Sequence, residues 1–270
     1  MQQLVRKYKA RLAQEQLSAN TIKAYLLPVY TFLNIYKRVN AENVLSYQNY
    51  LEENYSPKSV NLRIIAFNRF LSFIGKSEYR MKLLKCKQAS YLDNIISFEQ
   101  YRAFKSFLSK EKERKWFFIV STLAMTGVRI SELVQFGYSD VCKGYLDVKA
   151  KGNKIRRVFI PRALQKGLKE WLDSIDQTSG SVFRNNNGQS ITIRGITKGL
   201  EREAKKCGLD KHLVHPHAFR HLFAKKFLEK NGDIAMLADL LGHESLDTTK
   251  IYLRKTSQEQ KELIDKIVEW

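Results

Sequence analysis

HPHAFRHLFAKKFLEKNGDIAMLADLLGHESLDTTKIY, residues 215–252, is the stretch that decides how this chain is read. His217 and Arg220 stand three apart at the start of an apolar-periodic run. One helical turn brings residues i and i+3 to the same face, so both side chains can address one spot. Gly242-His243 follows a leucine pair, and a polar turn then leads to a lone tyrosine, Tyr252. Two histidines, a guanidinium and a phenol in one stretch point to chemistry on a phosphate. The periodicity predicts helices at about 217–229, 233–241 and 247–252.

Composition supplies the partner class. The chain has 270 residues, enough for one large domain or two modest ones, and its 44% apolar content supports real cores. Its formal net charge is +20, from 47 Lys and Arg against 27 Asp and Glu. Such an excess implies a polyanionic partner, nucleic acid foremost, with ribosome-bound and membrane-surface proteins as the other basic classes. Residues 1–88 hold 15 basic and 5 acidic side chains and the rest hold 32 and 22, so each part carries +10. Both parts are therefore expected to touch the same polyanion. Cys86, Cys142 and Cys207 are scattered and odd in number, which suits a reducing cytosol. The longest apolar run, Trp116 to Met125, falls well short of the roughly 20 residues of a membrane span. The basic N-terminus is followed by no apolar segment, so the chain is expected to be soluble and cytoplasmic.

Upstream, four helical patterns fall within residues 1–85. The first covers about 2–16. The second is capped by Ser18 or Asn20 and contains Pro28, which should bend it or shift its start. Asn40 caps a third helix running to about Asn54. Ser56-Pro57 opens a fourth, which ends at Gly75. Short connections make these a small bundle. Residues 76–96 lose the periodicity, and 86–96 reads as the linker. Ser97 with Gln100 matches a capping box, opening a helix to about Ser109. A helix from about Glu113 to Met125 is apolar on nearly all sides, as a buried core helix would be. Thr126-Gly127 breaks it, and Arg129 heads a new helix over VRISELVQF. The period then changes: Tyr145–Val148 and Ile155–Ile160 read as a β-hairpin with Lys151 at its tip. A helix over 163–175, a third strand at Ser181–Phe183, a loop at 185–188 and a helix at 193–207 follow. An amphipathic helix at 257–269 closes the chain. The fold class is mainly α (α+β): an N-terminal four-helix bundle and a mostly helical domain from residue 97 with a small antiparallel sheet.

Taken singly, the candidate residues have bland alternatives. Arg129 could form a structural ion pair with Glu132. Lys151, with Lys154 as competitor, could be a solvated turn lysine. His217 and His221 have the HxxxH spacing of a zinc site, with His212 and His215 nearby. Against a metal, no Glu follows the first His, no Cys lies near, and Arg220 would repel a dication. His221 reads better as a core histidine. His243 could be a helix cap and Tyr252 a half-buried core tyrosine.

Together they resemble the tyrosine recombinase (phage integrase) family. TGVRISEL at 126–133 is similar to its first arginine box, KGNK at 151–154 to its hairpin lysine segment, HPHAFRH at 215–221 to its His-x-x-Arg box, and LLGHESLDTTKIY at 240–252 to its nucleophile segment. SANTIKAY at 18–25 resembles the start of the core-binding domain. Arg254 stands where many relatives have His, and Ala218-Phe219 where Asp-Leu is common. The resemblance implies an Xer-like two-domain enzyme with catalytic Arg129, Lys151, His217, Arg220, His243 and Tyr252, the last as nucleophile. It implies a double-stranded DNA partner, a homotetramer on synapsed DNA, a C-terminal exchange helix and no metal or cofactor. A type IB topoisomerase or a catalytically silent DNA-binding relative are the alternatives. The short N-terminal bundle and the exchangeable tail favour the recombinase, and six intact positions argue against silence.

Overall fold

The computed structural model describes residues 2–85, 96–111, 114–149, 155–243, 245–253 and 264–265. All of the expected linker 86–96 but Ile96, the hairpin tip with Lys151 and all but two residues of the terminal helix 257–269 lie outside them. The chain divides into two compact units, Met1–Gln88 and Ala89–Trp270.

The first unit is a four-helix bundle: α1 (Gln2–Gln14), α2 (Ala19–Ile35), α3 (Ala41–Asn54) and α4 (Pro57–Phe73). The Ser18 hydroxyl accepts the Thr21 N–H at 3.1 Å and the Asn40 side chain accepts the Asn43 N–H at 2.8 Å, which fixes two starts. Pro28 neither stops α2 nor shifts its start to a later residue. The Pro28 carbonyl accepts the buried Tyr47 hydroxyl at 2.8 Å, tying α2 to α3. Phe32 meets Tyr47 and Phe67 with ring centroids 5.2 and 4.7 Å apart at the centre of this core.

The second unit is built around α6 (Lys115–Thr126), whose Phe118, Ile119, Val120 and Leu123 are all buried. α5 (Phe98–Lys110) packs on it, opened by the expected capping box. α11 (Pro216–Asn231) also packs on it, and α10 (Ile193–Lys206) brings Gly199 against Trp116 with no room for a Cβ. β1 (Tyr145–Lys149) and β2 (Ile155–Phe159) form the antiparallel hairpin, with Leu146 opposite Val158. α9 (Arg162–Asp173), α12 (Ile234–Leu241) and α13 (Leu246–Lys250) complete the unit.

Three places differ from expectation. The helix beginning near Arg129 stops early, as α7 (Ile130–Leu133), because the Phe136 carbonyl accepts the Val182 N–H at 2.8 Å and draws the chain out of helical geometry. A short α8 (Tyr138–Lys143) follows, set by the Asp140 carboxylate on the Gly137 N–H and closed by left-handed Gly144. Its six residues are too few to show a period. Ser181–Phe183 does not extend the sheet: among the described residues it makes only an isolated bridge from Ser181 to Gly137, and Val182 and Phe183 pair with loop backbone.

Candidate active site

The site is assembled on the last turn of α12. A helix leaves its final four carbonyls without intrahelical donors, and a buried carbonyl must find one. Gly242 adopts the left-handed conformation, φ 64°, and turns the chain back. The His243 N–H then reaches the Ala238 carbonyl and the Gly242 N–H the Asp239 carbonyl, both at 3.0 Å. The next three carbonyls each take an arginine. Arg156 Nη1 donates to Leu240 at 3.0 Å, Arg220 Nη2 to Leu241 at 2.7 Å and Arg129 Nη2 to Gly242 at 3.2 Å. The negative end of the helix dipole adds to the attraction.

Each arginine is fixed from a second side. Arg220 is buried and its Nη1 donates to the Gly127 carbonyl, the capped end of α6, at 2.7 Å. Burial, then the neighbouring Arg129 charge, pulls its pKa down to about 10, so it stays cationic at neutral pH. Glu132 accepts Arg129 Nη1 at 3.0 Å on one oxygen. On the other it accepts the Arg129 N–H at 2.7 Å and Arg156 Nη2 at 2.5 Å. Arg129 therefore has the expected ion pair and an outward-facing share of surface as well, since 35% of its side chain is exposed. A guanidinium has five N–H groups, so donors remain for a ligand.

His243 acts twice: its backbone closes α12, and its ring enters the site. Nε2 lies 3.0 Å from Arg220 Nη2 and Nδ1 lies 2.7 Å from the hydroxyl of buried Thr249. Burial and then the charges of Arg220 and Arg129 press its pKa down to about 4, which leaves the ring neutral near pH 7. Tyr252, on the 3₁₀ turn Ile251–Leu253, is 9% exposed and stacks on His243, centroids 6.0 Å apart and planes 15° apart. His221 also packs on the phenol ring, in a T-shaped arrangement with centroids 4.9 Å apart. His221 thus has the candidate nucleophile as its packing partner, and burial pushes its pKa to about 4. His217 is exposed on the first turn of α11. Among the described residues, no three His, Cys, Asp or Glu side chains are grouped as a metal would need.

Four of the six expected residues, Arg129, Arg220, His243 and Tyr252, converge here. His217 lies on the same helix as Arg220, and Lys151 is outside the described residues. Two polar residues escaped the sequence reading. Arg156 had a signal: buried Val158 and Ile160 place residue 156 on the inner face of β2, where a charge needs a partner, whereas Ile155 is 69% exposed. Thr249 had none, being one of two adjacent threonines in a polar turn.

Residues 94–259 match the profile of the phage integrase family. The chain belongs to the phage integrase family, the tyrosine recombinases. Members of this family are enzymes that transfer DNA strands. The tyrosine recombinase XerA of Pyrococcus furiosus is 31% identical over 271 residues, covering 98% of this chain and 93% of that one. The crystal structure of a XerA recombinase aligns with TM-score 0.57 and 26% identity, over 100% of this chain and 99% of that one. XerH bound to palindromic difH substrate in a post-cleavage complex shares the fold, with TM-score 0.73 and 22% identity over 95% of this chain and 84% of that one. No helix among the described residues is long and apolar enough to cross a membrane.

Proposed function

We propose that the protein is a cytoplasmic, Xer-like site-specific recombinase that cuts and rejoins double-stranded DNA through a 3′-phosphotyrosyl intermediate. The observation that carries this reading is the convergence of Arg129, Arg220, His243 and Tyr252 on the end of α12. Two cations and a neutral imidazole beside a phenol suit a phosphodiester, whose pentavalent transition state gathers negative charge. Arg129 and Arg220 take the non-bridging oxygens and His243 adds a hydrogen bond to one of them. The Tyr252 oxygen attacks phosphorus as its proton passes to His217, and the bond to the 5′-oxygen breaks as Lys151 protonates it. The phosphotyrosyl ester keeps the bond energy, so neither ATP nor a metal is consumed. A 5′-hydroxyl from the partner strand reverses the step. Two such exchanges through a Holliday junction, in a homotetramer, complete recombination. The N-terminal unit is assigned to DNA binding, which its share of the positive charge supports.

Nicked duplexes carrying the target site provide the test. The wild-type chain is expected to form a covalent 3′ adduct, and Tyr252→Phe to lose it while still binding the duplex. An adduct formed by Tyr252→Phe would overturn the nucleophile assignment.

A further inference from the structure

His243 sits between two partners that make opposite demands. A guanidinium only donates, so Arg220 Nη2, 3.0 Å away, donates into Nε2. The proton of the neutral ring is then on Nδ1, and the Thr249 hydroxyl, 2.7 Å away, accepts it. Thr249 lies on α13 and is fully buried, so bulk water does not replace it. Under the function proposed above, however, His243 donates from Nε2 to a phosphate oxygen. That requires the other tautomer, with a donor facing Nδ1. A carbonyl or carboxylate at this position could only accept. A hydroxyl rotates about its Cβ–Oγ bond and does either.

We propose that Thr249 is a positioning residue whose hydroxyl reverses at Nδ1, accepting while Arg220 occupies Nε2 and donating when a phosphate oxygen does. One proton leaves Nδ1 and one enters Nε2, exchanged with water, so the ring changes tautomer and stays neutral. Arg220 is released from Nε2 to the phosphate in the same event. The Tyr252 ring, stacked on the imidazole face, leaves the ring's in-plane hydrogen bonds undisturbed. The inference rests on the assignment of His243 to the phosphate, and the test separates the two.

Thr249→Val replaces the hydroxyl with a methyl of equal size, and Thr249→Ser keeps it. Each is assayed in the full chain for single-turnover adduct formation on a nicked duplex, with duplex affinity measured alongside. Thr249→Val is also combined with His243→Ala. We expect Thr249→Val to cleave about tenfold more slowly at unchanged affinity, a barrier rise of about 1.4 kcal/mol. Thr249→Ser should stay near wild type, and Thr249→Val should cost nothing further in the His243→Ala background. Ring-nitrogen NMR shifts of His243 should report Nδ1–H in the free protein. On the DNA complex of cleavage-blocked Tyr252→Phe they should report Nε2–H, a readout independent of Thr249 variants and their folding. If His243→Ala cleaves at the wild-type rate, the phosphate assignment fails whatever Thr249 does. If His243→Ala is slow, three results overturn the proposal alone: wild-type cleavage by Thr249→Val, loss by Thr249→Ser equal to that of Thr249→Val, or an equal further loss in the His243→Ala background. A His243 ring that keeps Nδ1–H on DNA overturns it as well.

Discussion

Glu132 holds two arginines on one carboxylate while only 5% exposed. Burial alone would raise its pKa, but the Arg129 N–H and the Arg156 charge outweigh burial and hold it below the ordinary carboxylate range. A depressed carboxylate pKa means that the unfolded chain binds the proton more tightly. Stability from this group is therefore complete above the unfolded value, near 4.5, and is lost as pH falls through the lower folded value. Glu132→Gln strips the charge partner from Arg156, whose side chain is 10% exposed, and should cost about 3 kcal/mol at neutral pH. It should also flatten the acid limb of the stability profile. Urea unfolding from pH 7 to pH 3 checks both, and a variant as pH-sensitive as wild type would show that the acid response arises elsewhere. The Arg129–Glu132 pair was legible because its members lie three apart. The second arginine on the same carboxylate comes from a strand 24 residues away, which no local pattern encodes.

At the scale of elements, the site is a meeting of helix ends. α6 ends at Gly127 and α12 at Gly242, both left-handed, and Arg220 bridges the two helix ends through the Gly127 and Leu241 carbonyls. Glycine at 242 answers two needs, since a Cβ there would lie 2.4 Å from Arg156 Cδ at φ 64°. Gly232 ends α11 at a similar φ of 69° but faces open space. Gly242→Ala should therefore destabilise by more than the roughly 1 kcal/mol of backbone strain expected of Gly232→Ala. Only Gly242→Ala should slow adduct formation, because only it displaces Arg156. Thermal unfolding and single-turnover cleavage of the two variants make the comparison, and equal behaviour would remove Gly242 from the site. The helices were legible because periodicity and caps such as Ser18, Asn40 and Ser97 act within a few residues. The early end of α7 was not, since a backbone bond to Val182 decides it.

At the scale of the molecule, each unit has a core of its own among the described residues. Residues 1–88, produced alone, should therefore unfold cooperatively from a helical state, followed by circular dichroism. A gradual, featureless melt would mean that this core depends on the rest of the chain. Each phosphate contact contributes about 0.9 to the slope of log affinity against log salt. The full chain should accordingly show a steeper slope on duplex DNA than residues 1–88 alone, because the remaining residues carry half of the net charge. The helical bundle, the hairpin, the positive charge and four of the groups that converge at the end of α12 were legible in the residues themselves, because periodicity, caps and side-chain chemistry are local. That three arginines share the carbonyls of one helix end, that His221 packs on Tyr252 and that Thr249 faces His243 became fixed only on folding. The reason is separation along the chain. Arg129 reaches Gly242 across 113 residues and Arg220 reaches Gly127 across 93, and such partners are chosen by packing rather than by spacing.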